Sequence, residues 1–121
     1  LSKIHFITYG SDHRWIYALD RIEREARERG VFDSVTCYTP AMLDRDFAKR
    51  YAPVLAQTGG GGYWIWKPQI IRQKLDECEP GDAVVYADAG CRLEPRNEAQ
   101  LFQLINKLNR TPPLANYGML S

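Results

Sequence analysis

GDAVVYADAGC, running from Gly81 to Cys91, is the stretch whose reading decides the fold. Within it Ala83 to Tyr86 form a short apolar run with two adjacent β-branched valines, bounded by Pro80-Gly81 before and Ala89-Gly90 after. A continuous apolar run between turn signals predicts a strand buried on both faces, as in a parallel sheet. One carboxylate, Asp88, stands where that strand runs out. In open α/β sheets ligands bind outside the carboxyl ends of strands, so an acid there is placed to meet a ligand or its metal. Gly90 lets backbone approach whatever binds. An Asp that merely caps the turn after the strand is an equally good reading of the same residue.

Working outward, the segment before this strand is GGGGYWIWKP, Gly59 to Pro68. The glycines lead straight into three large aromatics, then Lys67 and Pro68, then Ile70, Ile71, Leu75 and Cys78 at helical spacing. This predicts a mobile loop, Gly59 to Gly62, feeding a rigid helix with Pro68 in its first turn. At least one of Trp64 and Trp66 is expected in the core. Lys67 beside a helix start is placed to bind an anion. No GK[ST] follows the glycines, so the segment is not a Walker A loop.

The chain opens with KIHFITY, Lys3 to Tyr9, a strand apolar enough on both faces to be central. Gly10-Ser11-Asp12 follows as a turn in which Ser11 or Asp12 caps a helix from about His13 to Arg29. Ile16, Leu19, Ile22 and Ala26 form its apolar stripe, the charged residues on its other face read as solvated, and Gly30 ends it. Phe32 to Tyr38 predicts a second strand. Thr39-Pro40 opens a second helix that ends near Tyr51, with Met42, Leu43 and Phe47 inward. After the deciding strand come a short extended piece, Leu93 to Pro95, a helix from Asn97 to Asn109, and a strand starting near Leu114. Alternating strands and helices predict an α/β fold with a mainly parallel sheet covered on both sides.

The 121 residues fit one domain. Net charge of +1 argues against a nucleic-acid binder living on a basic field, so no nucleic-acid partner is expected. No apolar run reaches the length of a membrane span, and no leader pattern stands at the start, so a cytoplasmic protein is expected. The opening Leu1-Ser2 reads as a processed or trimmed start. Cys37, Cys78 and Cys91 are odd in number and lack CxxC spacing, which reads as reduced thiols rather than a disulfide framework or zinc site.

Over residues 3 to 94, KIHFITYGS, then GYWIWKPQII, then GDAVVYADAGC resembles the N-terminal half of GT-A-type glycosyltransferases, nearest to bacterial sugar-transferase-like proteins with GYWxWKP followed by YxDAG. The resemblance implies a Rossmann-like three-layer α/β/α fold. Residues 1–121 would then form a nucleotide-sugar-binding domain, an incomplete GT-A fold serving as the donor half of a longer enzyme or as a stand-alone relative. It implies a nucleotide-sugar donor, a glycan acceptor, and a divalent cation, Mn²⁺ or Mg²⁺, on the donor diphosphate. Such a cation neutralises charge that develops as the anomeric bond breaks.

Asp88 matches the first acid of the family's DxD motif and is the candidate metal ligand. Gly90 stands where the second acid belongs, which leaves Glu94 as a substitute ligand, or Lys67 or Arg92 as metal-free partners of the diphosphate. The candidate donor site is therefore Thr8, Tyr9, Gly10, Ser11, Tyr63, Trp66, Lys67, Asp88, Ala89, Gly90 and Arg92, with Tyr9 offering a stacking face. No catalytic residue is assigned, and catalysis by this chain alone is not expected. The alternative is a non-catalytic carbohydrate- or nucleotide-binding module with Trp64 and Trp66 as a sugar-stacking platform.

Overall fold

Ile4–Tyr9 forms the central strand, β1, of a three-stranded sheet, with β2 (Ser34–Tyr38) on one side and β3 (Ala83–Tyr86) on the other, in the order β2-β1-β3. This is a computed structural model, and it describes residues 2–57, 59, 62, 64–93 and 98–109. Both pairings are parallel: Phe6 lies opposite Val35 on one side and Val85 on the other. Period-2 alternation then sends neighbouring β1 side chains to opposite faces. Phe6 packs with Ile22 and Ala26 of α1 (Ile16–Arg29). Ile7 and Tyr9 pack on the other face with Trp66 and Ile70 of α4 (Trp66–Glu77). Helices thus cover both faces, as the strand–helix alternation predicts, and the sheet is α/β and parallel.

Local chemistry sets the helix boundaries. Asp12 is the cap, its carboxylate accepting the Arg14 N–H, and a 3₁₀ turn over His13–Trp15 precedes α1. Gly30 ends α1 at φ 71°, where a side chain would be strained. The single helix expected after Thr39-Pro40 is broken. A 3₁₀ turn spans Pro40–Met42, Leu43 is extended, and Asp44 caps α2 (Arg45–Arg50) by accepting the Phe47 N–H. A further short helix, α3 (Ala52–Leu55), begins with Pro53 in its first turn. The Asp44 carboxylate offers the backbone a fresh start that a periodicity argument cannot weigh against one continuous helix.

Three positions expected to face inward are exposed instead: Ile16, Met42 and Leu75. Pro68 sits in the first turn of α4, as expected. After β3, α5 (Glu98–Asn109) buries Leu101. The strand expected from Leu114 lies outside the described residues.

The glycine run departs from the expected mobile loop at its last member. Gly62 is buried at φ 104°, and a Cβ there would lie 2.7 Å from the Leu55 Cα of α3. Glycine is demanded there by backbone conformation and by close approach together. Gly60 and Gly61 lie outside the described residues.

Candidate functional site

Because β1 is flanked by β2 and β3, the chain leaves its carboxyl end toward one face, while α4 feeds β3 from the other. A crevice opens where the connections diverge, the place where such sheets bind ligands. Here it is a cleft of about 530 Å³ lined by Tyr9, Ser11, Arg14, Trp15, Trp64, Trp66, Tyr86, Asp88, Ala89 and Gly90.

Asp88 is two residues beyond β3, with its side chain 61% exposed. In extended backbone residues two apart share a face, and the Tyr86 hydroxyl accordingly donates to Asp88 Oδ1 at 2.6 Å. The Lys67 ammonium, from the first turn of α4, lies 3.7 Å from the same oxygen and 4.9 Å from the centre of the Tyr86 ring. Burial, then the hydrogen bond to Asp88 and its negative charge, push the Tyr86 phenol well above its ordinary range. The Asp88 carboxylate bonds no backbone N–H of its turn. That turn is closed instead by the Cys91 N–H on the Asp88 carbonyl at 2.9 Å. The side chain is therefore not the turn cap that the sequence left open.

The aromatic walls divide. Trp66 is buried, 5% exposed, and stacks on Tyr9 with ring centres 4.0 Å apart. Both belong to the core, so the Tyr9 face expected to receive a ligand ring is covered by Trp66. Burial raises the Tyr9 hydroxyl to about 12. Trp64 is 57% exposed at φ 59°, a left-handed conformation that a bulky residue rarely adopts. Trp15 is also exposed, so Trp15 and Trp64, rather than Trp64 and Trp66, present open indole surface to the cleft. Arg14 adds a guanidinium held in place by both oxygens of Asp12 at 2.8 to 3.2 Å. Hydrogen bonding to Arg14 holds the Asp12 carboxyl down at about 2.

The loop after β3 is fastened from the helix whose charged face was expected to be solvated. Arg21 donates to the carbonyls of Ala89 at 2.9 Å and Cys91 at 2.7 Å, and to Glu25 at 2.7 Å. Glu25 in turn accepts the Leu93 N–H at 2.9 Å. Partial burial pushes the Glu25 carboxyl up, but the Leu93 N–H and Arg21 outweigh it and hold it below its ordinary value. Arg27 with Glu23 keeps the expected form of an exposed i,i+4 pair.

Of the residues predicted for the site, Tyr9, Ser11, Trp66, Asp88, Ala89 and Gly90 line the cleft, and Lys67 joins them through Asp88. Thr8 and Gly10 do not. Thr8 is fully buried, its hydroxyl without a hydrogen-bond partner among the described residues. Gly10 is where β1 passes the start of α1, and a Cβ there would meet Leu19 at 2.5 Å. Arg92 is exposed and does not line the cleft. Tyr63 and Glu94 lie outside the described residues. Sequence reasoning missed Arg14, Trp15, Tyr86 and the Arg21–Glu25 clamp. The Tyr86–Asp88 spacing was the one available signal.

Among the described residues the cleft brings no group of three cation ligands together. Its carboxylate already accepts from Tyr86 and faces an ammonium. Hard divalent cations take several oxygen ligands, so these residues alone do not fit Mn²⁺ or Mg²⁺. Comparison with protein-family models, with curated proteins and with solved structures returns no match to this chain. Among the described residues no helix is long and apolar enough to cross a membrane.

Proposed function

We propose that the cleft binds a nucleoside-diphosphate sugar and that the chain is the donor-binding part of a glycosyltransferase, a Rossmann-like domain of GT-A type acting toward a glycan acceptor. The observation that carries this reading is the convergence of Lys67, Tyr86 and Asp88 at the carboxyl ends of β1 and β3, beside open indole surface. In this reading the Lys67 ammonium meets the diphosphate by a charge-assisted contact, acting as a point charge from the first turn of α4. Asp88 accepts from a ribose or sugar hydroxyl. Trp64 gives a base or sugar ring a flat apolar surface. Gly90, with nothing within 4 Å of where a Cβ would stand, leaves room for ligand beside Asp88.

A second reading, a carbohydrate-binding module without catalysis, is favoured by the exposed indoles of Trp15 and Trp64. Calorimetry separates the two. Wild type, Lys67→Ala, Asp88→Asn and Trp64→Ala are titrated with uridine and guanosine diphosphates, with and without Mn²⁺, and with free oligosaccharides. The donor reading expects diphosphate binding that weakens about tenfold in Lys67→Ala, the effect of about 1.4 kcal/mol from one charge-assisted contact. Oligosaccharide binding lost only in Trp64→Ala, with no response to either diphosphate, overturns it in favour of the second.

A further inference from the structure

The opposite, amino-terminal end of the sheet gathers three side chains of another kind. His5 is the second residue of β1, Cys78 is the C-cap of α4, and Asp82 directly precedes β3. One ligand atom from each lies within 4.8 Å of the other two. We propose that these residues bind a divalent transition-metal ion of the zinc class, independently of what the cleft binds.

Two of the ligands are already oriented. His5 Nε2 is 3.2 Å from Asp82 Oδ2, and these side chains are 15% and 5% exposed. The other ring nitrogen of His5 is 2.6 Å from Ser34 Oγ. Asp82 accepts the Lys3 N–H on Oδ1 at 2.9 Å and the Glu79 N–H on Oδ2 at 3.1 Å. Outer hydrogen bonds of this kind fix ring and carboxylate orientation in metal sites. Asp82 Oδ2 meets both the Glu79 N–H and His5 Nε2, so an ion entering between Nε2 and Oδ2 takes the place of the His5–Asp82 contact and leaves the imidazole proton on Nδ1, toward Ser34 Oγ.

Tetrahedral bonds of about 2.0 to 2.3 Å place neighbouring ligand atoms roughly 3.3 to 3.8 Å apart. The His5–Asp82 pair is close to that spacing. Cys78, whose thiol donates to the Lys74 carbonyl at 3.1 Å, exchanges that weak bond for the metal by turning its side chain inward.

A mixed nitrogen, sulfur and oxygen set suits zinc, whereas Mg²⁺ and Ca²⁺ take oxygen alone. On binding, the thiol proton leaves to solvent and the thiolate coordinates. One thiolate and one carboxylate then cancel the ion's two charges beside a neutral imidazole, so no net charge is left half-buried. Water completes the coordination. The ion would tie the start of β1 to the α4–β3 turn.

The test uses the whole chain, freed of metal and then titrated with Zn²⁺ against a chromophoric chelator and separately with Co²⁺. The expected results are one Zn²⁺ per chain, a thiolate-to-cobalt charge-transfer band, and at least about tenfold weaker zinc binding in Cys78→Ser and His5→Asn. Zinc uptake equal in wild type and Cys78→Ser, or a cobalt complex without the sulfur band, overturns the proposal and leaves a histidine–carboxylate pair beside a helix-end thiol. Far-UV circular dichroism checks that the variants fold. If Cys78→Ser does not, the wild-type cobalt spectrum decides alone.

Discussion

Replacing Arg21 by Ala removes the cation that holds the loop after β3. It deletes hydrogen bonds to the Ala89 and Cys91 carbonyls and the pairing with Glu25. Hydrogen bonds involving a charged group contribute about 1.5–3 kcal/mol each. The Arg21 and Glu25 side chains are 25% and 21% exposed, so the lower end applies. Two such bonds, with Glu25 still satisfied in part by the Leu93 N–H, put the loss at ~2–4 kcal/mol. Arg27→Ala is the internal control. It removes an exposed pair with Glu23 on the same helix, worth ~0.3–0.5 kcal/mol, and gains the same helix propensity.

Urea unfolding should therefore separate the two by several-fold. At ~4 °C per kcal/mol for a chain of this size, the thermal midpoint falls by ~8–16 °C for Arg21→Ala and by ~2 °C for Arg27→Ala. Amide exchange at Leu93 should accelerate only in the first. Equal losses in the two variants, or unchanged exchange at Leu93, would refute the clamp and return Arg21 to the solvated face.

Gly62→Ala should lose ~2–6 kcal/mol, from a strained positive φ of ~1–3 and a forced contact with Leu55 of ~1–3. Gly90→Ala, with open space around it, should stay within ~0.5 kcal/mol, and equal urea midpoints for the two would count against the packing argument. The Glu25 carboxyl is held below its ordinary 4.5, so the stability it contributes is complete above that pH and is lost as pH falls through the depressed folded-state value. Wild type should consequently lose more stability than Glu25→Gln between neutral pH and pH 3, measured by urea unfolding at each pH. Trp66→Ala should lose ~3–5 kcal/mol as a core deletion, while Trp64→Ala should cost less than ~1 kcal/mol, readable in the same assay.

The strands were legible because apolar runs bounded by turn signals depend on local sequence alone: Val84-Val85 and Phe6-Ile7 could hardly stand elsewhere. Asp88 at a strand end was legible for the same reason. What stayed hidden was long-range. Arg21 and Glu25 share an i,i+4 spacing with Glu23 and Arg27, and only the loop passing over α1 makes one pair a clamp and the other a surface pair. The Tyr9–Trp66 stack likewise joins the end of β1 to α4 across the fold, so neither residue announced that it would cover the other. Asp44 broke the second helix through a side-chain cap whose strength relative to continued helix is a balance of tenths of a kcal/mol to about one.

Chemistry in this chain collects at the two ends of the sheet because its faces have no room for it. With helices on both sides, Phe6, Ile7 and Thr8 are fully buried, and β1 can meet solvent-borne ligands only through the residues that flank them. At one end stands His5 with Asp82; at the other stands Tyr9, with Tyr86 and Asp88 on the neighbouring strand's exit. The same parallel pairing that aligns Ile4 with Ala83 and Ile7 with Tyr86 therefore fixes both constellations at once. A one-residue slip of β3 would turn Val84 and Tyr86 away from α4 and take Asp88 away from Lys67. Burial of Val84 and Val85 on opposite faces thus sets the register, and the register places the cleft's only described carboxylate.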